Sequence, residues 1–530
     1  MAHTRKDVWK LGAGWSDTLS WYARGVSALQ QRPITDRTSW TYLASLHGFD
    51  EGLWRAFGYF GSAGPFPAPG DALPLQCQHQ SWYFLPWHRG YLAAFEAIVR
   101  DAIVKLGGPG DWGLPYWNYS DASNPRAGEL PPAFAAAKMP DGSPNPLKVA
   151  QRYGVNGAGR VVIDRNDASV TSALSESEFP GDASGGSAGF GGPDTPFSHT
   201  GSDFDPPNPS GVLEDSPHNI VHGLIGGFRR GGNPNSALDN GLMSMPDTAA
   251  LDPIFWLHHA NIDRLWEVWL RRDAAHLNAT APAWLDGPAG RKFQMPGVDG
   301  TPFTFTAREM LDMSVPQLDY VYEDVSDPLG GRTRLADRFA MLGRPAPAPA
   351  MGMAMGAAMA RPPQAELLGA NAQAVRLEGT SVNTQVALDP QATRKLSASF
   401  APRGMGMAGA AAEPDRVFLN LENIRGGNDG VIFDIYVGLP PGAKPEDHPE
   451  NRAGAVALFG VAKASRDDGG HGGNGLVKVV EITHVIDALH LKPPVDLQKL
   501  NIQFVPRHEL LPADNISIGR VSVYRQGRSS

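Results

Sequence analysis

The chain has 530 residues, room for about two to four domains, and its 42% apolar content can fill at least one large core. Lys and Arg number 46 against 55 Asp and Glu, a net charge of −9 with no basic block, which excludes a nucleic-acid partner held through phosphates. No apolar run is long enough for a membrane-spanning helix, and the single cysteine, Cys77, excludes an internal disulfide framework.

The first residues, MAHTRKDVWKLGAGW, lack the apolar stretch of a secretory signal, so a cytoplasmic protein is expected. Around Ser39–Leu46, Trp40, Leu43 and His47 recur at helical spacing. From Pro86 to Leu106 the residues Tyr91, Leu92, Phe95, Ile98, Val99, Ala102 and Ile103 form one long apolar helical face. Residues 179–213 are rich in Gly, Ser, Pro and Asp and read as loop. A short helix is predicted from Ser216-Pro217, carrying His218, Val221, His222 and Ile225. Another starts at Asp252, an expected N-cap, with Phe255, His259, Ile262, Trp266 and Trp269 on one face.

Residues 1–342 thus form one helix-rich unit, and 343–364, a Pro/Ala/Gly/Met tract, reads as a linker. Its methionines (351, 353, 355, 359), with Met405 and Met407, read as low complexity rather than as copper ligands. From 365 to 530 the pattern changes to alternating β-branched segments at 417–424, 430–439, 455–462, 478–486, 500–506 and 516–524. The expected fold class is multi-domain α + β: a mainly α-helical catalytic domain around a four-helix bundle, then an antiparallel β domain, a small sandwich or barrel.

Histidine carries the chemistry. His218 and His222 stand four apart, so both imidazoles leave one helix face. His258 and His259 share another helix, and periodicity leaves the choice between them open, since both faces are apolar. His47 ends one helix, while His79 and His88 flank the start of the fourth. Six imidazoles on otherwise apolar faces are costly to bury unless something coordinates them. The scarcity of carboxylates disfavours Mg, Ca and di-iron sites; zinc stays open, and copper suits an all-imidazole set.

The segments PWHRGYLAAFE around His88, LEDSPHNIVHG around His218 and His222, and DPIFWLHHANIDRLW around His259 resemble the two copper-binding regions of the tyrosinase and polyphenol oxidase family. WTYLASLHG and the Tyr320–Tyr322 pair extend the resemblance over residues 1–342, and VIFDIYVGLP (431–440) resembles the β domain that follows the linker in plant-type enzymes. The resemblance implies two copper ions, one on His47, His79 and His88 and one on His218, His222 and His259, with O2 as co-substrate and a small phenol as substrate. It implies ortho-hydroxylation of monophenols and oxidation of ortho-diphenols to quinones, and leaves homo-oligomerisation open. Cys77, two residues before His79, resembles the fungal Cys-x-His arrangement, which implies a thioether between them. Glu214 and Asn219 resemble the pair of hydroxylating members, in which the carboxylate fixes a deprotonating water; a carboxylate favoured by the helix dipole accounts for Glu214 equally well. Phe255 is expected beside the ligands, and Met245 or Pro246 at the entrance.

By the same resemblance, residues 365–530 would cover the copper site and keep the enzyme latent, with 343–364 as the release point. The alternatives are a catechol oxidase or ortho-aminophenol oxidase without the hydroxylase step, and a dioxygen carrier with the same six histidines.

Overall fold

The computed structural model of the protein describes residues 2–527 apart from 13, 62–64, 196–207, 288–291, 314–317, 344–363, 401–412, 441, 468–472 and 492–497. The proposed linker and its methionines lie almost wholly outside the described residues.

Four helices frame the first domain: α1 (Asp17–Gln30), α2 (Trp40–His47), α3 (Phe84–Lys105) and, after a long irregular stretch, α5 (Ile254–Arg272). Between them, a wide turn over Glu214–Asn219, kinked at Ser216, runs into α4 (Ile220–Gly226). Ser16 and Ser39 cap α1 and α2 by accepting from Leu19 N and Tyr42 N. Asp252, the expected N-cap of α5, lies one residue before the actual N-cap, Pro253. Its carboxylate still accepts from Ile254 N (3.0 Å) and is held by the buried Arg152 at 2.5 and 2.7 Å, so the helix start keeps its negative charge.

Large aromatics fill the space between helices. Phe95 of α3 stacks on Trp256 of α5 with ring centroids 3.5 Å apart, and Trp40 of α2 meets both edge-on. Each such ring buries roughly 150–250 Å², which at ~25 cal/mol per Å² stabilises the bundle by about 4–6 kcal/mol per residue. α1 reaches α3 at Gly25, where an added Cβ would stand 2.9 Å from Val99 Cγ1; any larger residue would push the helices apart.

The chain ends of this domain are tied together. Strand β1 (His3–Arg5) pairs in parallel with β2 (Tyr320–Tyr322). Arg5, fully buried, bonds Glu96 of α3 at 2.5 and 2.8 Å, and Asp263 of α5 takes Arg89 (2.6 Å) and the hydroxyls of Tyr320 and Tyr322 (both 2.6 Å). Removing one partner would leave an uncompensated buried charge, at a cost of about 3–5 kcal/mol. The tyrosine pair singled out in the sequence therefore locks α3, α5 and the N-terminal strand.

The second domain is one nine-stranded sheet rather than a two-sheet sandwich. Its strands are β3 (Glu366–Ala370), β4 (Val375–Leu377), β5 (Val382–Leu388), β6 (Arg416–Arg425), β7 (Ile432–Val437), β8 (Arg452–Ala457), β9 (Leu476–Glu481), β10 (Lys499–Pro506) and β11 (Ile516–Gln526). The order is β8-β7-β10-β5-β3-β11-β6-β9, with β4 on β11, and its pairings are antiparallel. The sheet curls until its ends approach: a Cβ on Gly454 of β8 would lie 3.7 Å from Val480 of β9. Two predicted strands are shorter than expected. The stretch 455–462 leaves the sheet after Ala457 and ends in a short helix, α6 (Val461–Ala464). Likewise 478–486 ends as strand at Glu481, and Thr483–His490 form helix α7. β-branched content misled there, because the apolar faces of both segments pack on the sheet at helical spacing.

Charge is sorted across the junction of the domains. Asp167, Glu176, Asp215 and Asp247 of the helical domain pair with Arg507 (2.6 Å), Arg416 (2.9 Å), Lys478 (2.6 Å) and Lys463 (2.8 Å) of the β domain. Beyond residue 330 the sense reverses: Arg334 meets Glu481 and Arg338 meets Asp487, each at 2.7 Å.

Candidate metal centre

The six expected histidines meet at the heart of the helical domain, all buried. His47 closes α2, His88 lies one turn into α3, His218 and His222 lie on the wide turn and α4, and His259 is on α5. His79 sits on no helix: it belongs to irregular chain just before α3. That extended segment lets it face His47 and His88, with ring centroids at 5.3 and 5.6 Å.

Backbone oxygens fix the ring orientations. Nδ1 of His47, His88 and His222 lie 2.9, 2.8 and 2.8 Å from the carbonyls of Pro246, Phe84 and Met243, and His218 Nδ1 lies 3.0 Å from Asn219 Oδ1. A proton on Nδ1 leaves Nε2 with a lone pair facing inward. On one side the Nε2 atoms of His218 and His259 lie 3.2 and 3.4 Å from that of His222. Burial pushes His47 and His88 down to about 3 and the other four well below the ordinary value, so these imidazoles are neutral and able to donate to a metal.

The donors fall into two groups with ligand atoms within 4.8 Å of one another: His47, Cys77, His79 and His88, and His218, His222, His258 and His259. His47 Nε2 is buried without a hydrogen-bond partner, as is His259 Nδ1. Neutral nitrogens that converge, with an orphaned lone pair among them, fit a pair of metal ions that favour imidazole, and copper foremost.

His258 differs from its neighbour. Its Nδ1 lies 3.4 Å from Tyr119 Oη, its ring stacks on His218, and its Nε2 is buried and unpartnered. Cys77 Sγ lies 3.5 Å from His79 Nδ1, 3.9 Å from His79 Nε2 and 3.5 Å from His88 Nε2. Its sulfur thus faces the His79 edge that contains the carbon between the two nitrogens.

Glu214 is fully buried, and its two oxygens accept from Gln80 N at 2.9 and 3.0 Å. Gln80 holds a left-handed φ of 56°, a conformation that needs such support. The carboxylate therefore ties the His79 segment to the turn that bears His218. Asn219 donates through Nδ2 to Ser210 Oγ (3.3 Å), and Ser210 also bonds Glu214. Burial pushes the Glu214 carboxyl up to about 8.

Aromatic rings wall the centre. Phe255 packs on His259 and His47 (4.1 and 4.9 Å), and Phe84 on His88 and His218 (4.5 and 4.8 Å). Pro246 takes part through its carbonyl on His47. The β domain was expected over the site, but which residue it brings was not legible: Phe459, between β8 and α6, lies 4.3 Å from His222, 5.9 Å from His79 and 6.0 Å from His218. Only a single aromatic in a β-rich stretch marked it.

Comparison with known proteins agrees with this centre. A family model described as the common central domain of tyrosinase matches residues 37–272, and one described as a domain of unknown function matches 364–526. The tyrosinase HcTyr1 of Hahella sp. (strain CCB-MM4) is 31% identical over 535 residues, 99% of this chain and 99% of that protein. A chloroplastic polyphenol oxidase of Malus domestica is 26% identical over 58% of this chain and 46% of its own length. Among solved structures, a latent aurone synthase (polyphenol oxidase) superposes with a TM-score of 0.58 at 17% identity, covering 100% of this chain and 90% of that one. Latent apple tyrosinase does so at 0.57 and 20%, covering 99% and 98%. At those identities the likeness is one of fold across both domains.

Proposed function

The chain belongs to the tyrosinase and polyphenol oxidase family, and on that premise we propose that it both hydroxylates monophenols and oxidises ortho-diphenols, and that its β domain keeps it latent. Copper-dependent oxidation of small phenols is the activity of this family, and two copper ions are its cofactor. His47, His79 and His88 would hold one ion, and His218, His222 and His259 the other. Bound there, the pair supplies the two-electron exchange with O2 that quinone formation requires.

The protein's own residues prepare the site. Three backbone carbonyls and the Asn219 side-chain oxygen aim four of the rings through Nδ1, so the ligand geometry is set before metal arrives. Phe255 and Phe84 keep water from the ligands. A monophenol must give up its hydroxyl proton before it can be oxidised, which calls for a base. Glu214, with Asn219, is our candidate for holding the water that takes this proton; its bonds to Gln80 N give it a positioning role as well. Cys77 would hold His79 in one orientation if joined to it as a thioether.

The observation that carries latency is the Phe459 ring against the imidazoles of His222, His218 and His79. It occupies the side of the centre that a phenol ring would need. The test is an assay of the copper-loaded full chain, with and without proteolysis in 343–364, on a monophenol, a catechol and an ortho-aminophenol. Quinone from both phenols, rising on proteolysis, is expected. Oxidation of catechol alone would make it a catechol oxidase, oxidation of the aminophenol alone an aminophenol oxidase, and reversible O2 uptake without product a carrier.

A further inference from the structure

The β-domain segment that covers the centre brings more than a ring. Lys463, four residues after Phe459 and on α6, places its ammonium 2.8 Å from Asp247 Oδ1, and both side chains are only 7% exposed. An aromatic ring over the histidines and a cation four residues further along the chain enter the cleft together, as the two ends of an arylalkylamine would.

Asp247 is built rigidly into the helical domain. Its carbonyl accepts from the buried Trp54 indole at 2.6 Å, and the residue before it, Pro246, accepts from His47 Nδ1. Gly48 packs beneath: an added Cβ there would meet Pro246 O at 2.6 Å and Asp247 Cα at 2.8 Å. The carboxylate therefore keeps a fixed place relative to a proposed copper ligand, whatever the β domain does. Since Pro246, whose carbonyl holds His47 Nδ1, directly precedes Asp247, the Lys463–Asp247 pair lies near the ring of that histidine. Asp50, three residues after His47, faces a second cation of the same segment, Arg466, at 3.6 Å. Displacing the β domain takes both cations away and leaves carboxylates at the mouth.

We propose that Asp247 is a specificity-determining residue that receives the cationic amine of an aminoalkyl phenol, in the place Lys463 takes in the closed form. This rests on the reading that Phe459 stands where the substrate ring goes. Phenols bearing a carboxylate would meet repulsion at the same point, so the charge of the tail, and not only the ring, selects the substrate.

The test uses the copper-loaded full chain carrying Phe459→Ala and Lys463→Met, which clears ring and cation without removing a domain. Dopamine, 4-methylcatechol and 3-(3,4-dihydroxyphenyl)propionate serve as cationic, neutral and anionic diphenols. We expect a KM for dopamine about tenfold below that for 4-methylcatechol, a factor matching ~1.4 kcal/mol, and a higher KM for the propionate. Adding Asp247→Asn should bring the three KM values together, the loss falling on KM for dopamine, while Asp247→Glu should restore part of the preference. Calorimetry with 2-phenylethylammonium and 2-phenylethanol, which are not oxidised at the ring, reads the same preference without turnover. A preference for dopamine that survives Asp247→Asn, or equal KM values with Asp247 present, would overturn the proposal. Turnover in the Phe459→Ala/Lys463→Met chain no higher than in the parent would overturn the lid reading, separately from the KM comparison.

Discussion

The ring of Phe459 lies 4.3 Å from that of His222 and within 29° of parallel to it, although the two residues belong to different domains. Phe459 is 1% exposed and His222 fully buried, so no phenol can stack on His222 while the ring is there. Phe459→Ala in the full chain should raise oxidation of bulky phenols several-fold at unchanged copper content. Loss of a buried Phe costs about 3–5 kcal/mol, so a thermal melt should accompany the assay. Unchanged activity in a folded, copper-loaded variant would contradict latency through this residue.

Acid should open the junction, and the ion pairs set where. Burial alone would raise Asp247 and Glu176, but Lys463 and Arg416 outweigh it and hold both carboxyls below the ordinary range. A depressed folded-state value gives stability that is present above the unfolded value and lost as pH falls through the folded one. Docking should therefore persist through neutral and mildly acid conditions and give way below about pH 4. A brief acid pulse followed by assay at pH 7 checks this; activation already complete at pH 6 would assign control to other groups.

Glu214→Gln should depress monophenol hydroxylation at least tenfold more than diphenol oxidation, in the lower part of the range typical of general bases. The amide oxygen can still accept from Gln80 N, so the backbone tie is kept while the proton acceptor is lost. Equal losses on both substrates would leave Glu214 as a brace for the His79 segment.

Cys77 faces the edge of His79 that a thioether would use. After copper loading in air, intact mass should fall by two hydrogens and no thiol should titrate in the unfolded protein. A titratable thiol in fully active enzyme would refute the bond.

His259→Ala should lose one of two coppers and nearly all activity, whereas His258→Ala should retain both ions. His259 Nε2 converges with His222 Nε2 at 3.4 Å, while His258 Nδ1 is turned to Tyr119. Metal analysis of the two variants separates them, and the reverse pattern would exchange their roles.

Much of this was legible in the chain itself. Helical spacing put His218 with His222, apolar periodicity marked α3 and α5, and the change to β-branched alternation after 364 marked a second domain, because such local patterns follow from the period of each element. Locally, nothing distinguished His258 from His259, since both faces of α5 are buried in the bundle. Nor could composition tell that 461–464 and 483–490 turn helical, which depends on what each segment packs against. Phe459, Lys463 and Asp247 acquire meaning only together, and more than two hundred residues separate the first two from the third. The sequence by itself supplied the candidate donors and the imidazole chemistry that suits copper, since donor type and helical spacing belong to single elements. The tertiary structure alone decided what covers them, because an apolar ring and a paired charge are buried wherever the fold brings two surfaces into register.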